Sequence, residues 1–301
     1  MYNGKQYRST MENTENQAEK AIQPQQDPNA ILNAFRQKFS TTVHSIRVNS
    51  LNREVGFRDV STNEQKTLSK VSLENDSRKD IIYDTQCQLI NALCLEEGFS
   101  VYRLTEFDRI RILMEIYQAN YLKSDITYKC KACDTENVYK LDFQKIIDRF
   151  DKFDLSDRIF TTEDSNYTYK FTLNYPLVRN VSNFYRDYMK KYKNVGEAER
   201  QVLDNLGNIE YVNLFIKGVE LIDKKNPDDR LSADLTLMTY AEVEKFIDQF
   251  PQNVIFSEGG GVMNYITKEF VERLHGVFQY EKCAHCGAES DEGIGSLVDF
   301  F

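Results

Sequence analysis

The sequence predicts an α+β fold, mainly helical, with short β-hairpins and a four-cysteine module assembled from two distant Cys-x-x-Cys knuckles. Three observations predict it. Apolar side chains recur at steps of three and four through most of the longer segments, the period of one helix face. Short alternating runs flank turn residues, the pattern of hairpins. The pairs Cys130-Lys131-Ala132-Cys133 and Cys283-Ala284-His285-Cys286 lie far apart, yet each follows an aromatic and a lysine and precedes a polar turn.

Residues 1–29 are rich in Gln, Asn, Glu, Ser and Thr, with Pro24 and Pro28 and few aliphatic groups, and are expected to be a disordered polar tail. Residues 30–125 form the expected N-terminal hairpin and helical region. In it, Val43 to Leu51 roughly alternates, turns through Asn52-Arg53 and resumes at Val55-Gly56-Phe57-Arg58, a strand pair. His44 beside that register has no carboxylate or cysteine partner nearby in sequence, which argues against catalysis. Ser61-Thr62-Asn63-Glu64 is a capping box opening a helix with Leu68, Val71 and Leu73. A second helix from Arg78 carries Tyr83, Cys87, Ile90 and Cys94 on one face. Residues seven apart on a helix are ~10.5 Å apart along its axis, too far for a disulfide, so Cys87 and Cys94 read as core thiols. Thr105-Glu106-Phe107-Asp108 opens a third helix, whose stripe Phe107, Ile110, Leu113, Met114, Tyr117 and Tyr121 is expected to face the earlier two.

Residues 126–301 form the expected α+β region stapled by the cysteines. The first pair is entered through Ile126 and Tyr128 and left through Val138, Leu141 and Phe143 into a short helix near Ile146-Ile147. A hairpin follows from Arg158-Ile159-Phe160-Thr161 to Tyr167–Leu173, ended by Pro176. Asn180 to Tyr192 reads as helix, and Glu210 to Ile222 also reads as helix, with Val212, Phe215, Val219 and Ile222 at helical spacing. Asn226-Pro227-Asp228-Asp229 is a loop. Thr239-Tyr240-Ala241-Glu242 caps a helix with Val243, Phe246 and Ile247, stopped by Pro251. Gly259-Gly260-Gly261 lacks the Lys-Ser or Lys-Thr ending of a phosphate loop and reads as a hinge. A last helix, Met263 to Phe278, leads to the second pair, and Phe300-Phe301 is expected to pack beside it or serve as a docking hook.

Cys-x-x-Cys spacing at a hairpin tip lets two thiolates converge on one ion at about 2.3 Å while backbone N–H groups of the turn point at the sulfurs. The residue after the second cysteine is best left-handed, which Gly287 supplies freely and Asp134 tolerates. Two such knuckles make one zinc-ribbon-like site, so Cys130, Cys133, Cys283 and Cys286 are the expected ligands of a single structural Zn2+. Lys129, Lys131 and Lys282 would offset the charge of four thiolates around it, favouring zinc over two disulfides. Two separate incomplete sites and plain thiols are the alternatives. A redox pair would open a helix after a strand, whereas the Asn137 to Leu141 run looks like a hairpin arm. His285 reads as a solvent-facing turn residue.

With 41% hydrophobic and 28% charged residues and no apolar run approaching ~20 residues, no membrane span is expected. The beginning of the chain lacks the apolar core of a signal peptide, so the cytoplasm is the expected compartment. A net charge of −9 argues against a phosphate-tracking surface, and Lys190, Lys191 and Lys193 read as a solvated helix end. No Gly-x-Ser-x-Gly, hydrolase-type histidine spacing or phosphate loop is present in the sequence, so no enzyme is expected.

The stretch Ile46 to Phe57 with Gln65-Lys66-Thr67-Leu68, the Tyr128-Lys129-Cys130-Lys131-Ala132-Cys133 segment, Leu173-Asn174-Tyr175-Pro176, and Cys283-Ala284-His285-Cys286-Gly287 before a Phe300-Phe301 end together resemble the T4-type phage baseplate hub assembly proteins. The resemblance covers most of the chain after residue ~40 in the order of elements, its specific motifs being the cysteine pairs. It departs in having no Gly after Cys133 and in the extra N-terminal tail. It implies a non-enzymatic protein that helps assemble the hub of a contractile tail, as chaperone or retained subunit, with baseplate hub or tail proteins as partners and the virion baseplate as a second location. A zinc-ribbon protein associated with nucleic acid or regulation is the alternative, and would need a basic face near the knuckles.

Overall fold

The computed structural model describes residues 42–74, 78–120, 125–140, 142–192, 207, 210–256, 261–275 and 282–288. The expected tail over 1–29, Lys193, Gly259-Gly260 and Phe300-Phe301 lie outside the described residues.

The alternation at Val43 forms β1 (Val43–Val48), paired antiparallel with β2 (Arg53–Arg58) so that Ile46 faces Val55. A 3-10 turn over Asn49–Leu51 joins them, closed by Asn52 at φ 52, a left-handed conformation that asparagine adopts more readily than most residues. Helix α1 (Thr62–Glu74) opens on the predicted capping box: the Glu64 N–H donates to Ser61 Oγ and the Ser61 N–H donates to the Glu64 carboxylate at 2.9 Å. Helix α2 (Lys79–Leu93) buries Tyr83, Cys87 and Ile90 on one face. Cys94 falls beyond its last turn as an extended C-cap bridged to Phe57, so only the first three members of that stripe are helical. Burial raises the Cys87 thiol to about 12, consistent with a core thiol.

Helix α3 (Glu106–Ala119), capped by Thr105 Oγ1 accepting from the Asp108 N–H, is buried on nearly every side. Its expected single face is in fact two. Ile112, Leu113 and Ile116 pack with the first hairpin and α2, whereas Phe107, Ile110 and Met114 belong to a second cluster with the C-terminal elements. The Asp108 carboxylate accepts the N–H of Asn49 at 2.8 Å and of Ser50 at 3.2 Å, pinning the turn of the first hairpin to the start of α3.

After α3 comes the hairpin of β3 (Asp125–Lys129) and β4 (Glu136–Lys140), in register Lys129 with Glu136, and then α4 (Phe143–Phe150), capped by Asp142 accepting from the Lys145 N–H. Helix α4 returns onto α3, with Phe150 against Phe107 at 4.9 Å between ring centres and Phe143 near Tyr117. The hairpin therefore springs from a fixed helix pair.

Strands β5 (Arg158–Glu163) and β6 (Tyr167–Leu173) are the predicted hairpin ended by Pro176, followed by α5 (Val178–Tyr192). The expected helix from Glu210 to Ile222 does not form over its whole length. It ends at Asn213, and Ile216–Asp223 is β7, which pairs with β6 and with β8 (Arg230–Asp234) to complete an antiparallel sheet ordered β5-β6-β7-β8. The apolar stripe crosses an element boundary: Val212 lies in the helical turn that ends at Asn213, Phe215 follows it, and Val219 and Ile222 are on the strand, where Val219 is buried and Ile222 half-buried. Within the strand, Thr172 faces Gly218 and Leu173 faces Ile216, so Lys217 is a bulged extra residue and the buried Ile216 and Val219 stand three apart. The chain is accordingly a mixture of helix and strand, in which β5 to β8 form one four-stranded sheet and β1–β2 and β3–β4 are separate two-stranded hairpins.

Helix α6 (Tyr240–Ile247) has the predicted Thr239–Glu242 capping box, and Pro251 separates it from α7 (Gln252–Phe256). Phe250 covers Tyr169 and Phe171 on the sheet, both at 5.8 Å between ring centres. The last helical stretch runs α8 (Val262–Ile266), a π-helical turn over Thr267–Val271 and α9 (Glu272–His275), up to the end of the described segment at His275. Thr267 Oγ1 donates to the Met263 carbonyl, competing with the helical ladder where the turn widens. Phe270 from this stretch is fully buried against Tyr175 and Phe215. Among the described residues no helix is long and apolar enough to cross a membrane.

Candidate metal centre

The first knuckle occupies the tip between β3 and β4, and the second lies at 282–288. Their local geometries repeat each other. The Cys130 N–H donates to Thr135 O at 2.9 Å and the Asp134 N–H to Cys130 O at 2.7 Å; the Cys283 N–H donates to Ala288 O at 2.8 Å and the Gly287 N–H to Cys283 O at 2.9 Å. Asp134 at φ 56 and Gly287 at φ 71 both adopt the left-handed conformation expected after the second cysteine. These closed turns are what let two sulfurs per knuckle point the same way.

All four predicted cysteines come together. Cys130, Cys133, Cys283 and Cys286 have their sulfurs within 4.8 Å of one another. Cys130 lies 3.7 Å from Cys286, and Cys133 3.6 Å from Cys283, across sequence separations of 156 and 150 residues. These are not disulfide distances, and all six cysteines are free thiols. A tetrahedral ion with bonds of about 2.3 Å would hold its sulfurs roughly 3.8 Å apart. The donor set and its spacing fit such an ion.

Charge points the same way. The backbone N–H groups of Cys286 and His285, with the Asn137 carboxamide, favour the thiolate of Cys283 and draw its thiol down to about 6. The hydroxyl and then the N–H of Thr135 lower Cys133. At Cys286 the Ala288 N–H favours the thiolate, yet the neighbouring sulfurs outweigh it and push the thiol up to about 12. Four thiolates this close repel, and a divalent cation among them removes that penalty. Cys130 and Cys283 are buried, Cys133 is half-buried and Cys286 is exposed. Lys129, Lys131 and Lys282 lie on the exposed side of the knuckles, as does His285 in its turn.

Two neighbours were not visible in sequence. Asn137 on β4 is 7% exposed; its Oδ1 accepts from the Ala284 N–H at 3.1 Å, while its Nδ2 donates to Thr135 O at 2.9 Å and contacts Cys283 Sγ at 3.5 Å. Thr135 Oγ1 sits 3.3 Å from Cys133 Sγ. Residue type alone gives no signal for either, because their partners are set by the closure of the module. His44, on β1, does have a carboxylate partner: its Nε2 meets Asp59 Oδ1 at 2.5 Å, on the loop after β2. That pair ties β1 to the loop.

The family model described as T4 bacteriophage base plate protein matches residues 40–301. The chain belongs to that family. The match takes in both hydrophobic clusters and both knuckles of this baseplate-family protein and leaves out residues 1–39. No curated protein and no solved structure matches it.

Proposed function

We propose that this baseplate protein is a non-enzymatic assembly factor of the baseplate hub, acting as a chaperone or as a retained hub subunit, and that it holds one structural Zn2+ through Cys130, Cys133, Cys283 and Cys286. The convergence of the four sulfurs from knuckles about half the chain apart carries the reading, together with the family. Four cysteine ligands leave a zinc ion no open position for chemistry, so its work is mechanical. It closes a zinc-ribbon-like module and ties 282–288 to the β3–β4 hairpin.

The energetics favour closure. Joining residues ~150 apart costs roughly 4 to 5 kcal/mol of chain entropy on the disulfide formula, whereas structural zinc sites supply about 10 to 16 kcal/mol. A module so closed would present a fixed surface to other baseplate hub or tail proteins during assembly in the host cytoplasm. Co-purification from infected cells, set against the composition of purified particles, tests the role. Recovery with hub proteins is expected, with presence in the particle marking a subunit and absence a chaperone. Recovery with nucleic acid in place of tail proteins, in a salt-dependent manner, would overturn the proposal.

A further inference from the structure

The two knuckles are joined by more than their sulfurs. Asn137 lies on the β3–β4 hairpin four residues past Cys133, and its carboxamide faces the second knuckle. The orientation of the group is fixed by its partners: the Ala284 N–H can only donate, so the oxygen faces it, and the Thr135 carbonyl can only accept, so the nitrogen faces that side. That nitrogen also lies 3.5 Å from the Cys283 sulfur. One side chain therefore grips the turn of its own knuckle, the backbone of the other knuckle between its cysteines, and one ligand atom. It is 7% exposed, so these bonds form with little competition from water.

We infer that Asn137 is a positioning residue that seats the second knuckle on the first and aims Cys283 into the four-sulfur cage before a metal ion arrives. The inference rests on the zinc reading above and adds to it a pre-formed cage. Asn137 touches the sulfur and not the ion, so it acts through Cys283. Hydrogen-bonded neighbours of ligands typically govern metal affinity by about 10- to 100-fold. The polarity of the carboxamide, beyond its volume, is what matters. A carboxylate of the same shape would keep the bond from Ala284 but turn an oxygen towards the Thr135 carbonyl and the Cys283 sulfur.

The test uses the full chain and compares wild type with Asn137→Ala and Asn137→Asp. Zinc affinity is read by competition with a chromophoric chelator, and the site itself by the sulfur-to-metal charge-transfer bands of the cobalt(II)-loaded protein. Both variants are expected to take one ion per chain at saturation, with native-type bands, but to bind about 10- to 100-fold more weakly, Asn137→Asp being the weaker of the two. Variants that hold zinc as tightly as wild type would overturn the inference while leaving the zinc reading intact. So would Asn137→Asp binding as well as or better than Asn137→Ala, since that order marks a filler of space. A wild-type chain that takes up no zinc would strike the zinc reading and this inference together. A second measurement follows hydrogen exchange of the metal-free protein. The Ala284 amide, which donates to Asn137 Oδ1, should exchange faster in Asn137→Ala than in wild type while the amides of α2 in the N-terminal core stay protected. An unchanged Ala284 rate, or equal acceleration throughout α2 through general unfolding, would contradict a role in seating the knuckle.

Discussion

Substituting Glu106→Gln probes the polar centre of the fold. Glu106 and Arg109 are 2% and 3% exposed, and the Glu106 carboxylate accepts Arg109 Nη2 at 2.5 Å, Arg109 Nε at 2.9 Å and the Tyr83 hydroxyl. Arg109 also lies 4.2 Å from the centre of the Tyr83 ring and donates to Gln86 Oε1 at 2.8 Å. Burial and then the Glu106 carboxylate hold the Tyr83 phenol well above its ordinary range, so it remains a donor. Glutamine would leave the guanidinium as an unpaired buried cation and would aim an amide donor at groups that are themselves donors. Removing one partner of a buried ion pair costs about 3 to 5 kcal/mol, a large share of the 5 to 15 kcal/mol typical of a whole protein. Urea denaturation followed by circular dichroism should show that loss. Adding Arg109→Met should then recover more than ~1 kcal/mol, because the cation is gone. Loss below ~1 kcal/mol in the single variant, or a double variant less stable than the single, would refute the reasoning.

Other outcomes follow from the caps and turns. Hydrogen bonds from the Arg58 guanidinium, aided by Ser61, hold Glu64 at about 2. Its folded value lies below the unfolded one near ~4.3, so this stabilisation is present above that pH and is lost as pH falls towards 2. Glu64→Gln should therefore flatten the stability profile between those limits, measured by thermal melts at stepped pH; an unchanged slope would count against the pairing. Gly287→Ala meets no atom within 4 Å but must hold φ 71, so it should cost about 1 to 2 kcal/mol and weaken zinc retention, whereas Asp134→Gly at φ 56 should do the reverse. Chelator competition on the two variants checks the opposed signs.

The knuckles were legible because their chemistry is local. Two cysteines, their spacing and the need for a left-handed residue after them are contained within a few positions, and Asp134 and Gly287 adopt that conformation. The capping boxes at Ser61 and Thr239 were readable for the same reason. Strand β7 was not, since the apolar stripe from Val212 to Ile222 runs across the boundary between a helical turn and the strand, and only pairing with β6 reveals it. The double duty of α3 was hidden too: Phe107, Ile110, Leu113 and Met114 read as one stripe, but the turns between them are also covered, by elements distant in sequence. Asn137 and the His44–Asp59 pair likewise take their meaning from partners that the fold delivers.

The most direct test of the zinc-stapled account is the metal content of the purified full chain, measured by elemental analysis together with native mass spectrometry. One zinc per chain is predicted, lost on changing any of Cys130, Cys133, Cys283 or Cys286 to Ser, with the cluster around Ile46, Phe57 and Ile90 still folded. Two ions per chain, or none with all four sulfurs freely alkylated in the native protein, would contradict it.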